Sequence, residues 1–327
     1  MTLNIATFRK RALTALIFVA VMLTGLLWNQ WSFFILFSII HFGCWIEYQK
    51  IIGLIDHEYT EITGFHRYGV MVAGWCIMLY FTNDMFNLGD FSFHSMGWWL
   101  GLMFIFLLPL VELLFSKQVS GRNVGFSFAG LLYISLSWAM MIGLYDFYHP
   151  GPGLPRGPYI PLTIILGVWI NDTMAYLVGS FIGKTPFSKI SPKKTWEGTL
   201  GGMVLCILII GLIGSSAYSW LIGIPPPLDI PGGTELINSS EVPAGPAITN
   251  GSDITDARSV ANYHWFIIGA IVAIFGTAGD LFESKLKRMA NIKDSGSIMP
   301  GHGGFLDRFD SLLFVVPAVW IYVQLFL

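Results

Sequence analysis

Charge is scarce in this chain. Asp, Glu, Lys and Arg make up 12% of its 327 residues, about half the share of a soluble domain, which excludes an ordinary water-soluble globular fold. Cysteine is nearly absent. Cys44, Cys76 and Cys206 each lie inside an apolar run without paired or metal-ligand spacing. They read as small buried hydrophobes and exclude a disulfide framework or a thiolate metal site. No internal repeat is visible, so the inverted-repeat layout of many transporters has no support. The formal net charge is only −2, and no nucleic-acid partner is expected.

What the chain has instead is apolar length. Apolar residues make up 54%, with 26 Phe and 12 Trp. A helix needs about 17–25 such residues to cross a bilayer. Nine stretches read as spans, at about 12–30, 31–49, 68–82, 97–116, 124–147, 160–182, 199–222, 263–283 and 311–327. The third and the last are short, and Pro317 is placed to bend the last. The first follows Arg9-Lys10-Arg11, but Trp28-Asn29-Gln30-Trp31 offers no small-residue cleavage site, so it reads as a retained anchor. With the N-terminus inside, all Lys and Arg except Arg156 and Arg258 fall on the cytoplasmic side, and the C-terminus lies outside. The expected fold is therefore all-α: a polytopic integral membrane protein of about nine transmembrane helices. Residues 1–159 form its N-terminal helices. Residues 160–327 form a catalytic transmembrane region with cytoplasmic loops. The segment His149–Tyr159 reads as a stiff Pro/Gly connector, and 223–261, which holds Pro225-Pro226-Pro227, as an outer-loop insertion, poorly ordered or a small cap.

Polar residues gather in two places. From Gly279 to Ser311 the sequence GDLFESKLKRMANIKDSGSIMPGHGGFLDRFDS packs acids, bases and glycines between two spans. Polar groups are costly near a bilayer core, so this density marks a working site. Asp280 and Glu283 are three apart, with Ser284 and Lys287 on the same helical face, and Asp307 and Asp310 repeat the spacing. Two carboxylate pairs on adjacent helix ends suit one or two hard cations through oxygen. Between them Gly303 and Gly304 let backbone amides approach a phosphate. Lys285, Lys287 and Arg288 also fit a plain role as juxtamembrane anchors. His302 is open between a structural hydrogen bond and ligand contact. The second cluster holds Asn171 and Asp172 inside the sixth span, with Tyr176 four residues on. It continues through Gly183-Lys184-Thr185-Pro186 to Ser191-Pro192-Lys193-Lys194-Thr195-Trp196-Glu197-Gly198. An acid within an apolar span faces the bundle interior or a water-filled cavity. Lys193 and Lys194 beside hydroxyls suit a polyphosphate, and Glu197 suits orienting them or approaching a metal. Lys184 and Lys189 read as positive-inside markers, and Gly183-Lys184-Thr185 is not a P-loop.

The runs Ser284-Lys285-Leu286-Lys287-Arg288, Lys293-Asp294-Ser295-Gly296 and His302-Gly303-Gly304-Phe305-Leu306-Asp307-Arg308-Phe309-Asp310, with Ser191–Gly198 upstream, closely resemble the phosphatidate cytidylyltransferases, the CDP-diacylglycerol synthases. The resemblance covers about Asn171 to Ser311, with Met299 a mild departure where the family more often has Leu, Ile or Phe. The first five spans match only as hydrophobic helices. The resemblance implies that CTP and phosphatidate give CDP-diacylglycerol and pyrophosphate. It implies Asp280 and Asp307 as principal metal ligands, with Asp310, Glu283 and Asp172 for a second cation or for orienting the first. Lys287 and Arg308 join Asp280 and Asp307 as catalytic residues. Ser191, Lys193, Lys194, Arg288, Lys293, His302, Gly303 and Gly304 are expected to bind substrate. Mg2+ is the expected cofactor, with K+ nearby as a second cation. The expected partners are CTP, phosphatidate, the lipid bilayer and a second copy in a homodimer. The expected location is a bacterial inner (cytoplasmic) membrane, with the site facing the cytoplasm.

Two other readings compete. A CTP-dependent polyprenol kinase is opposed by the HGG-x-x-DR-x-D run. A transporter is opposed by the gathering of polar residues on one face. CDP-alcohol phosphotransferases are excluded, because their motif begins Asp-Gly and this chain has no such dipeptide.

Overall fold

A computed structural model describes residues 5–115, 120–145, 157–188, 190–221, 251–297 and 303–327. Among these residues the fold is helical, with two isolated β-bridges and no strand. The helices are α1 (Ile5–Leu27), α2 (Gln30–Ile55), α3 (Gly64–Tyr80), α4 (Phe93–Phe115), α5 (Gly121–Gly130) and α6 (Leu136–Gly143). They continue with α7 (Tyr159–Ile182), α8 (Trp196–Leu221), α9 (Gly251–Met289) and α10 (Leu306–Phe326). A π-helical turn, Leu131–Ser135, joins α5 to α6 in one rod.

Seven helices among the described residues are long and apolar enough to cross a membrane: Gln30–Ile55, Phe93–Phe115, Gly121–Gly143, Tyr159–Ile182, Trp196–Gly214, Tyr263–Met289 and Leu306–Phe326. The chain is an integral membrane protein. The other two expected spans fall on α1, whose apolar part is Leu16–Leu27, and on α3, which has 17 residues. Several ends move. α2 starts where Asn29 and Ser32 form a capping box and continues past residue 49 to Ile55. α10 begins five residues before the expected 311 and runs on through Pro317, so Asp307 and Asp310 belong to its first turns. α9 begins at Gly251, so residues 251–261 of the expected insertion are helical; residues 222–250 lie outside the described set. Most of the Pro/Gly connector, 149–156, lies outside it as well.

In lipid, apolar burial does little to bring helices together, so close packing and interhelical hydrogen bonds carry more of the load. α7, α8, α9 and α10 pack in sequence, and α10 also touches α2 and α6. Gly279 permits the α9–α10 contact, since a Cβ there would meet the backbone of Asp310 and Ser311. Trp45 Nε1 donates to Ser135 Oγ at 2.8 Å, fastening α2 to the π turn. His66 reaches Glu112 at 3.3 Å and Ser127 at 2.8 Å, linking α3, α4 and α5. α10 accepts from α6 through Ser137 Oγ and the Leu313 carbonyl, 2.7 Å.

Candidate active site

The two polar clusters meet. A cavity of about 500 Å3 is lined by Asn171, Asp172 and Tyr176 of α7, by Ser191, Lys193 and Lys194 of the following loop, and by Asp280 of α9 with Asp307 and Asp310 of α10. Stretches more than a hundred residues apart in sequence thus form one wall.

The loop is shaped by Glu197 at the start of α8. Its carboxylate accepts from the amides of Lys184 and Thr185, at 3.1 Å each, and from Thr185 Oγ1 at 2.8 Å. The Trp196 amide donates to the Thr185 carbonyl at 2.9 Å, and the Phe187 amide to the Lys194 carbonyl at 2.7 Å. This narrow turn carries Lys194 to the opposite wall, where its Nζ forms an ion pair with Asp280 Oδ2. That contact lacks the alignment of a hydrogen bond. Lys193 is exposed at the rim. Asn171 is buried, and its Oδ1 has no hydrogen-bond partner.

Asp307 sits in a different setting. Lys287 Nζ donates to its Oδ1 at 2.6 Å, and the amides of Ser295 and Gly304 donate to its Oδ2 at 2.8 Å each. Gly303 has φ +84°, a left-handed conformation that favours glycine and turns the chain into α10. The sequence reading gave the glycine amides to a phosphate. In the structure the Gly304 amide is taken by Asp307, three residues on, so the requirement there is for shape.

Glu47 of α2 explains that shape, and sequence reasoning missed it. It is 3% exposed. Its Oε1 accepts from the Phe305 amide at 2.9 Å and its Oε2 from the Leu306 amide at 2.8 Å, which caps α10. The Ser295 hydroxyl lies 2.6 Å from Glu47 Oε2 and 2.9 Å from Asp307 Oδ2, and its one proton serves either carboxylate. A Cβ at Gly296 or Gly304 would collide with the Glu47 carboxylate. The available signal was a lone acid in an apolar span, the same sign that singled out Asp172.

The remaining predicted residues stand apart from the cavity wall. Glu283, fully buried, is paired with Lys287 Nζ at 2.5 Å. Lys287 thereby bridges Glu283 and Asp307 behind the wall. Arg288 is exposed and turns to the Ile292 carbonyl at 3.4 Å. Lys293 and Arg308 are also exposed. His302 and Lys189 lie outside the described residues. Among the described residues no three His, Cys, Asp or Glu side chains stand close enough to hold a metal ion by themselves.

Comparison with known proteins gives the family. The profile of the cytidylyltransferase family matches residues 9–326. A phosphatidate cytidylyltransferase of Aquifex aeolicus is 37% identical over 164 residues, half of this chain and 46% of the relative. One of Synechocystis is 34% identical over 179 residues, 55% and 47% of the two chains. One of Staphylococcus aureus (strain COL) is 31% identical over 230 residues, 69% and 71%. The match thus spans just under half the length of the first two relatives and more than two thirds of the third. With the family profile covering nearly the whole sequence, the chain belongs to the cytidylyltransferase family.

Proposed function

We propose that the protein is a phosphatidate cytidylyltransferase, transferring CMP from CTP to phosphatidate with release of pyrophosphate. The observation that carries this reading is the single cavity in which Lys193 and Lys194 face Asp172, Asp280 and Asp310. An oxygen of the lipid phosphate attacks the α-phosphorus of CTP, a new P–O bond forms, and the bond from that phosphorus to the bridging oxygen of the β-phosphate breaks. The attacking oxygen is already ionised at neutral pH, so no general base is needed. The barrier lies in bringing anions together, and fixed cations lower it. Lys193 and Lys194 hold the triphosphate, and the leaving pyrophosphate stays in their field. Ser191 donates from the same turn.

The cavity suits a hard divalent cation. Its acidic donors are all oxygen, and Asn171 Oδ1 is a buried acceptor without a partner. Mg2+ commonly takes one or two carboxylates and completes its coordination with substrate phosphates and water, so a protein cage of three acids is not required. Asp280 and Asp310 would hold it, with Asp172 and Asp307 orienting its surroundings. When bound it would neutralise charge developing on the transferring phosphoryl group. A K+ ion beside it fits the same oxygen donors. Glu283 and Lys287 act from behind the wall by fixing Asp307, while Arg288, Lys293, Arg308 and His302 are assigned to the headgroup side.

Nine spans, with the N-terminus and the cavity on the cytoplasmic side, put the site where CTP is present; basic residues favour that side. A bacterial inner membrane and a homodimer complete the proposal. Residues 1–159 serve as support for a catalytic region at 160–327, with Glu47 reaching across the division. The test is cytidine-labelled CTP with phosphatidate in mixed micelles, with and without Mg2+. Label is expected in the lipid, with Mg2+ and pyrophosphate release. No transfer from CTP, or γ-phosphate appearing on a polyprenol instead, would overturn the assignment.

A further inference from the structure

A second cavity, of about 400 Å3, opens between the C-terminal half of α2 and the start of α3. It lies on the face of α2 next to the one carrying Glu47, and so at the same end of the bundle as the active-site loops. Lys50 and Arg67 bring two positive charges to it, and no carboxylate lines it. Of the acids nearby, Glu47 of α2 accepts from α10, Asp56 just past the end of α2 pairs with Arg122 at 2.8 Å, and Glu58 and Glu61 are exposed on the turn His57–Glu61.

Arg67 has donors left over. Its Nη2 donates to the Thr60 carbonyl at 3.4 Å, and Gln49 Nε2 donates to the Arg67 carbonyl at 2.9 Å. Its Nε is buried with no hydrogen-bond partner. A basic residue that merely marks the inner face of a membrane keeps its donors in water. A half-buried guanidinium with one buried, unmatched donor suits an anionic acceptor, and phosphate geometry matches its fork.

The rim of this cavity is apolar. Ile46 and Leu54 are exposed on the outer surface, and the Tyr68 ring is 65% exposed beside Arg67. A soluble phosphate gains nothing from such a wall, whereas an acylated one lays its chains along it. We propose that this cavity binds the phosphate-bearing headgroup of an anionic membrane lipid, with Lys50 and Arg67 on the phosphate and the acyl chains along Ile46. The site is separate from the active-site cavity and holds a lipid that is not consumed there.

The test uses the purified full chain in neutral detergent, with retained lipid counted by native mass spectrometry. An Arg288→Gln/Lys293→Gln/Arg308→Gln background, at residues assigned above to the phosphatidate headgroup, keeps lipid in the active-site cavity from being counted. Phosphatidylglycerol and phosphatidylcholine of matched chains are compared, with inorganic phosphate as competitor. The anionic lipid should be retained about tenfold or more over the zwitterionic one, as two interfacial cations imply. Lys50→Gln should reduce that preference, and Lys50→Gln with Arg67→Gln should remove it. Lys50 is exposed, so its variant tests the site even where the Arg67 change impairs folding. Unchanged retention in Lys50→Gln, or equal retention of the two lipids by the parent, overturns the proposal. Displacement by millimolar phosphate overturns the lipid as occupant and leaves a free-anion site.

Discussion

Asp280 and Asp307 carry the same side chain and line the same cavity, yet the fold treats them in opposite ways. Asp307 is surrounded by donors: Lys287, the Ser295 amide and the Gly304 amide, with the Ser295 hydroxyl close by. Among the described residues Asp280 has one ion-pair partner, Lys194, on a loop. A carboxylate fixed by several donors shapes the chain around it and changes partners only if that chain is rebuilt. A carboxylate facing one long flexible side chain exchanges it for a cation or a phosphate-bound metal at little cost. On the function proposed above, the two acids divide the work, Asp307 supporting and Asp280 receiving.

The largest expected effect tests that division directly. Asp280→Asn should lower turnover by about 10²–10³-fold, the range seen when a charge-stabilising group is lost from an active site. Its thermal midpoint in detergent should stay close to that of the parent. Asp307→Asn should lose turnover and stability together, because an amide offers one acceptor to donors on two sides, at about 3 kcal/mol. Equal thermal losses in the two variants would erase the contrast.

Next in size is Glu47→Gln. The Phe305 and Leu306 amides and the Ser295 hydroxyl all point at the Glu47 carboxylate, so one carboxamide oxygen cannot serve them. Loss of one charged hydrogen bond costs about 1.5–3 kcal/mol. Stability should fall by that amount, and turnover by about tenfold through the displaced loop, with the CTP requirement little changed. A variant with parental stability and a raised CTP requirement would move Glu47 from support to binding.

Sequence pattern made part of this legible. In so uncharged a chain, acids at i, i+3 on two helix ends stood out, and the helices themselves followed from apolar length. The cavity partners of Asp280 were legible only in kind. Lys194 was marked as a phosphate contact, but nothing in its spacing pairs it with an acid on α9. Glu47 meets Leu306, which lies on α10, far along the chain, and no local pattern encodes such a contact. The Gly304 amide, expected at a phosphate, has a competitor close by. An acid three residues downstream competes for an amide at a helix start, and Asp307 takes the Gly304 amide that way. Lys287, expected at the chemistry from the resemblance, pairs with Glu283 and Asp307, and neither contact is encoded by a local pattern beyond the i, i+4 spacing to Glu283.

The smallest effect separates the two adjacent lysines of the 191–198 turn. Lys193 is exposed, while Lys194 is already paired with Asp280. Lys193→Gln removes a charge that meets only the substrate, so it should raise the CTP concentration for half-maximal rate by about tenfold, equivalent to about 1.4 kcal/mol. The maximal rate and the phosphatidate requirement should change little. Lys194→Gln also releases Asp280, whose carboxylate then loses the ammonium group it faces in the cavity. Its metal requirement should therefore shift along with its CTP requirement, because Mg2+ no longer competes with an ammonium group. Mg2+ titrations at fixed CTP distinguish the two. A shift in the Lys194 variant alone supports Asp280 as the receiving acid. Matching shifts in both would mean that the lysines act only through the triphosphate, and that the Lys194–Asp280 pair has no part in cation binding.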